Sequence, residues 1–353
     1  IIRRNQIAAG QPPRYTGVWS QASKEEVQEE LDKGNKPVYR FRIPKKKNIC
    51  FTDLVKGEQS FATDDLDDFI VRKKDSSPTF MFANAIDDSL MGVDLVLRGD
   101  DHLSNTPRQI ALLESLDLSL PRYAHVSLFT GSDGAPLSKR NGSLSISDLK
   151  EMGYLPIAVS NYLSRVGHTI NDNDLKTQKE LADSFETKNI SSSPSKFDLD
   201  QLLFWQKKAV DNLTIDECAS WLSGNLDDLP PTVQERSFIE LIKENINFPN
   251  EAREYVSNLF VNALSGDEEN LKIIQSAGQE FFISALEVVN AGISDWKQTC
   301  EDIEARTGKK GRELFMPLRV VITGQTRGPE LDKVIELIGH ERVLERLKEA
   351  SQI

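Results

Sequence analysis

The sequence predicts an α/β plus all-α protein. Three observations carry that prediction. Short apolar runs bounded by turn residues follow a polar, charged first 45 residues, a strand–helix–strand unit closes that stretch near residue 130, and capped helical patterns follow one another from residue 146 to the end. The charged stretch KEEVQEELDKG reads as a helix stopped by Gly34. NICFTDLVKGEQSF and DDFIVRKKD read as short strands with polar turns. TFMFANAIDDSLMG is an apolar run followed by paired acids. GVDLVLRG, with Val93, Leu95, Val96 and Leu97, reads as a buried strand. Thr106 and Gln109 have the spacing of a capping box, Pro107 suits the first helical position, and Ile110, Leu112, Leu113 and Leu116 form one apolar face. HVSLFT, residues 125–130, reads as the next strand. A strand–helix–strand crossover of this length makes the two strands parallel.

The later half carries its own punctuation. Short helices end at Gly153 and Gly167, Asp198 and Gln201 cap a helix through Trp205, and Thr214 with Glu217 makes another capping box. NISSSPSK, residues 189–196, reads as a polar loop, and the Trp and Phe positions of the helical half as core.

In parallel sheets ligands bind beyond the carboxyl ends of the strands. Arg98 ends the first strand, and the loop GSDGAPLSKRNGSLS, with Ser138, Lys139 and Arg140, follows the second. Both cations are therefore expected at one crevice, where a planar guanidinium and a compact ammonium suit anionic oxygens. No GxxxxGK[ST] loop is present. Asp100, Asp101 and His102 read either as an acid–base or metal cluster or as acids complementing a helix start. Asp87 and Asp88 suit a cation or a turn, and His125, on an apolar strand, suits a packed core. KKGRELFMPLR, residues 309–319, reads as an RNA-phosphate contact or as a solvated helix face.

The net charge of −12 argues against a nonspecific polyanion binder, although a basic patch on an acidic body remains compatible with it. No apolar run approaches the about 20 residues of a membrane helix, and no secretory signal is visible. Cys50, Cys218 and Cys300 are far apart without a CxxC pair, which disfavours a disulfide framework or a cysteine-based zinc site and fits a reducing cytoplasm.

RGDDHLSNTPRQIALLESL (98–116), HVSLFTGSDGAPLSKRNGSLSISDLKEMGYLPIAVSNYLSRVG (125–167), SSPTFMFANAIDDSLMG (76–92) and MPLRVVITGQTRGPELDKVIELIGHERVLERL (316–347) together resemble bacterial glutamyl-tRNA synthetases, class I aminoacyl-tRNA synthetases. The resemblance runs from GQPPRYTG (10–17) nearly to the end. It implies the second half of a Rossmann-type nucleotide-binding fold, a stem-contact region and a helical anticodon-binding domain. It also implies activation of glutamate with ATP and Mg2+, then transfer of glutamate to the 3′ end of tRNA(Glu), by a cytoplasmic monomer without a membrane partner.

The resemblance gives residues 1–75 as the remainder of an inserted acceptor-binding domain and 76–130 as the second half of the catalytic fold. It gives 131–212 as the KMSKS-type loop and stem-contact region, and 213–353 as the anticodon-binding domain. Lys139 becomes the catalytic lysine at the triphosphate. Ser138, Lys139, Arg140, Leu128, Phe129 and His102 become ATP-binding residues. Arg98, Phe80 and Asn84 become glutamate-binding residues, and Asp88 and Asp101 approach the tRNA acceptor end.

Four departures accompany the resemblance. The HIGH signature and its half-fold are absent, so the chain is expected to be an N-terminally truncated piece, inactive alone. A noncatalytic tRNA-binding module is the alternative. Pro136 replaces the leading lysine of the loop, and Phe80 replaces a pocket tyrosine. Trp19 stands where some relatives carry a zinc-binding cysteine, so no zinc is expected.

Overall fold

The computed structural model describes residues 2–8, 10, 17–131, 134, 137, 144–170, 172–261, 264, 268–293 and 295–353. Ser138, Lys139, Arg140 and Pro136 lie outside the described residues. The chain divides into two compact units: residues 1–143, 164–172 and 181–197, and residues 144–163, 173–180 and 198–353. Among the described residues no helix is long and apolar enough to cross a membrane.

The first unit opens with α1 (Ile2–Ala8) and α2 (Lys24–Asp32), followed by β1 (Tyr39–Phe41), β2 (Asn48–Asp53), β3 (Gly57–Ala62) and β4 (Phe69–Arg72). Then come α3 (Phe80–Leu90), β5 (Leu95–Gly99), α4 (Thr106–Ser115), β6 (Arg122–Val126) and β7 (Phe129–Thr130). β2, β3, β5 and β6 form a sheet in the order β3–β2–β6–β5. β2 and β3 are an antiparallel hairpin, whereas β6 runs parallel to both β2 and β5. The predicted parallel pair around α4 is therefore present. α4 buries Ile110 and Ala111 in a cluster with Tyr123, Ile43 and Ile49. Its Leu112 and Leu113 pack with Ala85 of α3. α4 ends at Ser115, so Leu116 is exposed rather than part of the buried face.

Three local expectations change. HVSLFT is not one strand: β6 stops at Val126, and β7 pairs with β8 (Ser195–Lys196) instead. NISSSPSK is correspondingly not all loop, because its Ser195 and Lys196 supply that partner. Thr106 does not cap α4. It lies inside the helix in αR geometry behind Asn105, and Pro107 is at the second position. Its hydroxyl is drawn to other partners, described below.

The second unit takes α5 (Ile146–Glu151) and most of α6 (Pro156–Arg165), and α7 (Gln178–Asp183) falls at its border. It continues through α8 (Leu199–Asn212), α9 (Ile215–Trp221), α10 (Glu235–Ile242), α11 (Pro249–Val256), α12 (Glu268–Ala277) and α13 (Gln279–Asn290). α14 (Trp296–Thr307), α15 (Arg312–Thr323), α16 (Leu331–Ile338) and α17 (His340–Ala350) complete it. The predicted caps hold: Asp198 accepts the Asp200 and Gln201 amides, and Thr214 and Glu217 form the capping box. Phe238, Phe282, Leu318 and Val343 lie in one large core. Phe204 and Phe315 are exposed, against the expectation that the aromatics here are all core. In the basic run, Lys309 donates to the Ala277 carbonyl, Lys310 pairs with Glu304 at 2.9 Å, and Arg319 donates to the Pro329 carbonyl at 2.8 Å.

Candidate functional site

The candidate site lies at the carboxyl ends of β5 and β6. Register sets Arg98 of β5 directly beside His125 of β6. Because alternate strand residues share a face, Tyr123 lies on that face too, and the Arg98 guanidinium stands 5.7 Å from its ring centre. Burial pushes the Tyr123 phenol up to about 12, so it stays neutral.

Arg98 gathers the site. Its Nε donates to His125 Nε2 at 3.1 Å, and one terminal nitrogen donates to Asn84 Oδ1 at 3.3 Å. The other donates to Thr106 Oγ1 at 2.9 Å and to Gln109 Oε1 at 2.7 Å. Gln109 in turn donates to Asn84 Oδ1 at 3.0 Å. The i, i+3 spacing that resembles a cap instead turns Thr106 and Gln109 toward one guanidinium. A buried polar group must find partners, and a cation offers a stronger one than a backbone amide.

α3 presents the opposite wall. Phe80, Asn84 and Asp88 recur every four residues, the spacing of one helix face. Phe80 is exposed, and its ring lies 5.5 Å from the His102 ring. Asp88 is half-buried. Burial raises its pKa against the pull of Arg98 and a hydrogen bond with Asn84.

Beyond β5, residues Asp100–Asn105 form a 3-10 turn. His102 Nδ1 meets the Asn105 amide at 3.0 Å, and Asp101 approaches His102 Nε2 at 3.7 Å. Gly99 leaves the space for this turn: a Cβ there would stand 2.5 Å from Asp101 Oδ1 and 3.0 Å from Leu128 Cδ2. Leu128 is partly exposed, and Phe129 of β7 is half-buried.

The structure thus brings Arg98, Asn84, Phe80, Asp88, His102, Asp101 and Leu128 to one end of the sheet. Among the described residues no group of three or more His, Cys, Asp or Glu side chains is placed to hold a metal ion.

Sequence reasoning missed the support beneath Arg98. His125 is fully buried, as expected of a core residue, yet it is not apolar packing. Its Nδ1 meets Asp53 Oδ2 at 2.5 Å, with both side chains inaccessible. Asp53 Oδ1 accepts the amides of Val55 at 3.0 Å, Lys56 at 2.9 Å and His125 at 3.1 Å. Burial works against the Asp53 charge, but these hydrogen bonds, led by His125, hold its pKa below the usual value. Burial likewise lowers the His125 pKa, outweighing the pull of Asp53. Lys56 adds a second tie. Its ammonium donates to Asp100 Oδ2 and Ser127 Oγ, each at 2.9 Å, and to the Ser192 carbonyl at 2.6 Å. Asp53 and His125 are separated by 72 positions. The local signal is a polar residue at or next to the carboxyl end of each of two strands.

Comparison with known proteins identifies the family. A model of the catalytic domain of class I tRNA synthetases (E and Q) matches residues 2–204, and an anticodon-binding-domain model matches residues 206–351. Glutamate–tRNA ligase 1 of Halorhodospira halophila is 45 % identical over 353 residues, all of this chain and 74 % of that protein. Glutamate–tRNA ligase 2 of Nitrosococcus oceani is 44 % identical over 98 % of this chain and 74 % of its own length. A crystal structure of a glutamate tRNA ligase from Elizabethkingia meningosepticum, in complex with its amino acid, matches with a TM-score of 0.84. It covers 99 % of this chain and 76 % of that one at 24 % identity, a likeness of fold. With the catalytic-domain model spanning more than half of its residues, and relatives of this identity matched over about three quarters of their length, the chain belongs to the glutamate–tRNA ligases, enzymes of the class I aminoacyl-tRNA synthetase family.

Proposed function

We propose that the carboxyl ends of β5 and β6 form the glutamate- and ATP-binding face on which glutamate becomes the adenylate and then passes to the 3′ ribose of tRNA(Glu). The observation that carries this is Arg98, a half-buried guanidinium anchored on one edge by His125, Thr106 and Gln109 at the mouth of the sheet. An anchored planar fork is preorganised to receive a carboxylate. Asn84 completes the polar wall, and Phe80 and His102 supply flat surfaces beside it.

Leu128 and Phe129 flank the adenine, with His102 on the nucleotide side. Lys139 and Arg140 bring cations to the triphosphate and Ser138 a hydroxyl, and Lys139 stabilises charge that develops as pyrophosphate leaves. Asp88 and Asp101 face the incoming acceptor end. Residues 1–75 contact the acceptor, 76–130 hold the substrates, 131–212 carry the loop and the stem contact, and 213–353 bind the anticodon. The reaction belongs to the cytoplasm, where translation consumes charged tRNA.

Calorimetric titration of L-glutamate into the purified chain and its Arg98→Ala variant tests the reading. Glutamate affinity should fall about tenfold or more without the guanidinium, since a charged hydrogen bond contributes about 1.5–3 kcal/mol. Equal affinities would refute it.

A further inference from the structure

We infer that His125, oriented by Asp53, is the positioning residue that sets the Arg98 guanidinium for the amino-acid carboxylate. The inference rests on the reading above that Arg98 receives glutamate.

The direction of each hydrogen bond follows from chemistry. Asp53 accepts three backbone amides and the His125 ring, so it faces four donors and is held ionised. An ionised Asp53 requires a proton on His125 Nδ1. In a neutral ring this leaves Nε2 as an acceptor. Nε2 is where Arg98 Nε–H arrives, at 3.1 Å. The Asp53 carboxylate therefore dictates the tautomer, the tautomer presents the lone pair, and the lone pair fixes one edge of the guanidinium. Thr106 and Gln109 hold the neighbouring terminal nitrogen from α4. The rotation of the plane is then determined, and with it the direction of the other terminal nitrogen, which also donates to Asn84.

The groups facing His125 come from three neighbouring elements and from its own strand. Asp53 comes from β2, Arg98 from β5 and Thr106 from α4, with Thr106 Oγ1 at 3.0 Å from Nε2. Tyr123, on the same strand, stacks at 6.3 Å between ring centres, and Asp100 adds a more distant negative charge. Protonating Nε2 would set an N–H against the Arg98 N–H and drive the guanidinium out of register. His125 does not touch the substrate on this reading; it acts only through Arg98.

Two substitutions separate the two ends of the ring. His125→Asn keeps a donor near Nδ1 for Asp53 but removes the acceptor for Arg98. His125→Gln reaches the Nε2 position and can restore that acceptor. Glutamate and ATP binding are measured by calorimetry on wild type, both variants and Arg98→Ala. His125→Asn should weaken glutamate binding roughly tenfold, His125→Gln should stay within about threefold of wild type, and ATP binding should be unchanged in both. Equal effects of the two variants, or none, would overturn the inference while the Arg98→Ala result separately decides the glutamate reading. Wild type supplies an independent arm that needs no substitution. Its glutamate affinity should fall as the pH drops below the ordinary histidine range, and His125→Gln should lack that fall. An identical pH profile in the variant would also overturn the inference.

Discussion

Asp53→Asn is the most informative single change. The amide keeps an oxygen for the three backbone donors at 2.9–3.1 Å. It places an N–H, however, where the carboxylate accepted from His125 at 2.5 Å. To avoid two opposed donors, His125 must move its proton to Nε2, and that proton then meets Arg98 Nε–H across 3.1 Å. One loss is the charge-assisted part of the Asp53–His125 bond, about 1 kcal/mol, because a bond to a charged group exceeds a neutral one by roughly that much. The other is an unsatisfied donor inside the sheet, about 1–3 kcal/mol. Together they destabilise the sheet by about 2–4 kcal/mol. Hydrogen exchange read on peptides covering β6 reports the opening free energy of this strand without interference from the helical unit. Protection should fall by that amount at neutral pH. A change below about 0.5 kcal/mol, within the range of ordinary surface substitutions, would show that the carboxylate does not set the ring.

Acid should weaken the first unit in two stages. His125 titrates below its ordinary 6.5 and Asp53 below its ordinary 3.8. The unfolded chain thus binds more protons at both sites, and the stability they add is full above those values and lost as the pH falls through the folded ones; a urea midpoint insensitive to pH between 7 and 3 would contradict this. Gly99→Ala should cost about 1–3 kcal/mol, because its Cβ would overlap Asp101 and Leu128 while the backbone φ of −63° is ordinary; a thermal melt reads the loss. Asp198→Ala removes the acceptor for two amides of α8 and should cost about 1 kcal/mol, seen in urea unfolding followed by the fluorescence of buried Trp205. Lys139→Ala should weaken ATP binding about tenfold while leaving glutamate binding unchanged, as a paired calorimetric titration would show.

Much of the architecture was legible from periodicity. The apolar strand before Arg98, the helical face of Ile110 and Leu113, and the caps at Asp198 and Thr214 depend on neighbours within a few residues, and local patterns record such neighbours. Thr106 and Gln109 show where that logic fails. Their spacing is that of a cap, but a guanidinium eight and eleven residues away competes for the same oxygens and wins. Phe80, Asn84 and Asp88 share a helix face that the spacing contains, though only their shared wall with Arg98 gives it meaning. The Asp53–His125 pair was illegible for a different reason. Parallel pairing brings residues together across long intervening segments, and no short window spans β2 and β6. The break after Val126 was equally hidden, since the partner of β7 lies in a serine-rich segment with no strand signature of its own.

Lys56 alters what the tip of the β2–β3 hairpin can tolerate. Such tips usually accept inserted tags, new termini or grafted peptides. Here one ammonium bonds the ends of two other strands and a segment 136 positions downstream. Lengthening residues 54–57 would swing that ammonium away and loosen three distant stretches of chain at once. For protein engineers the hairpin is a keystone, and the exposed helix α2 is the safer place to attach a label.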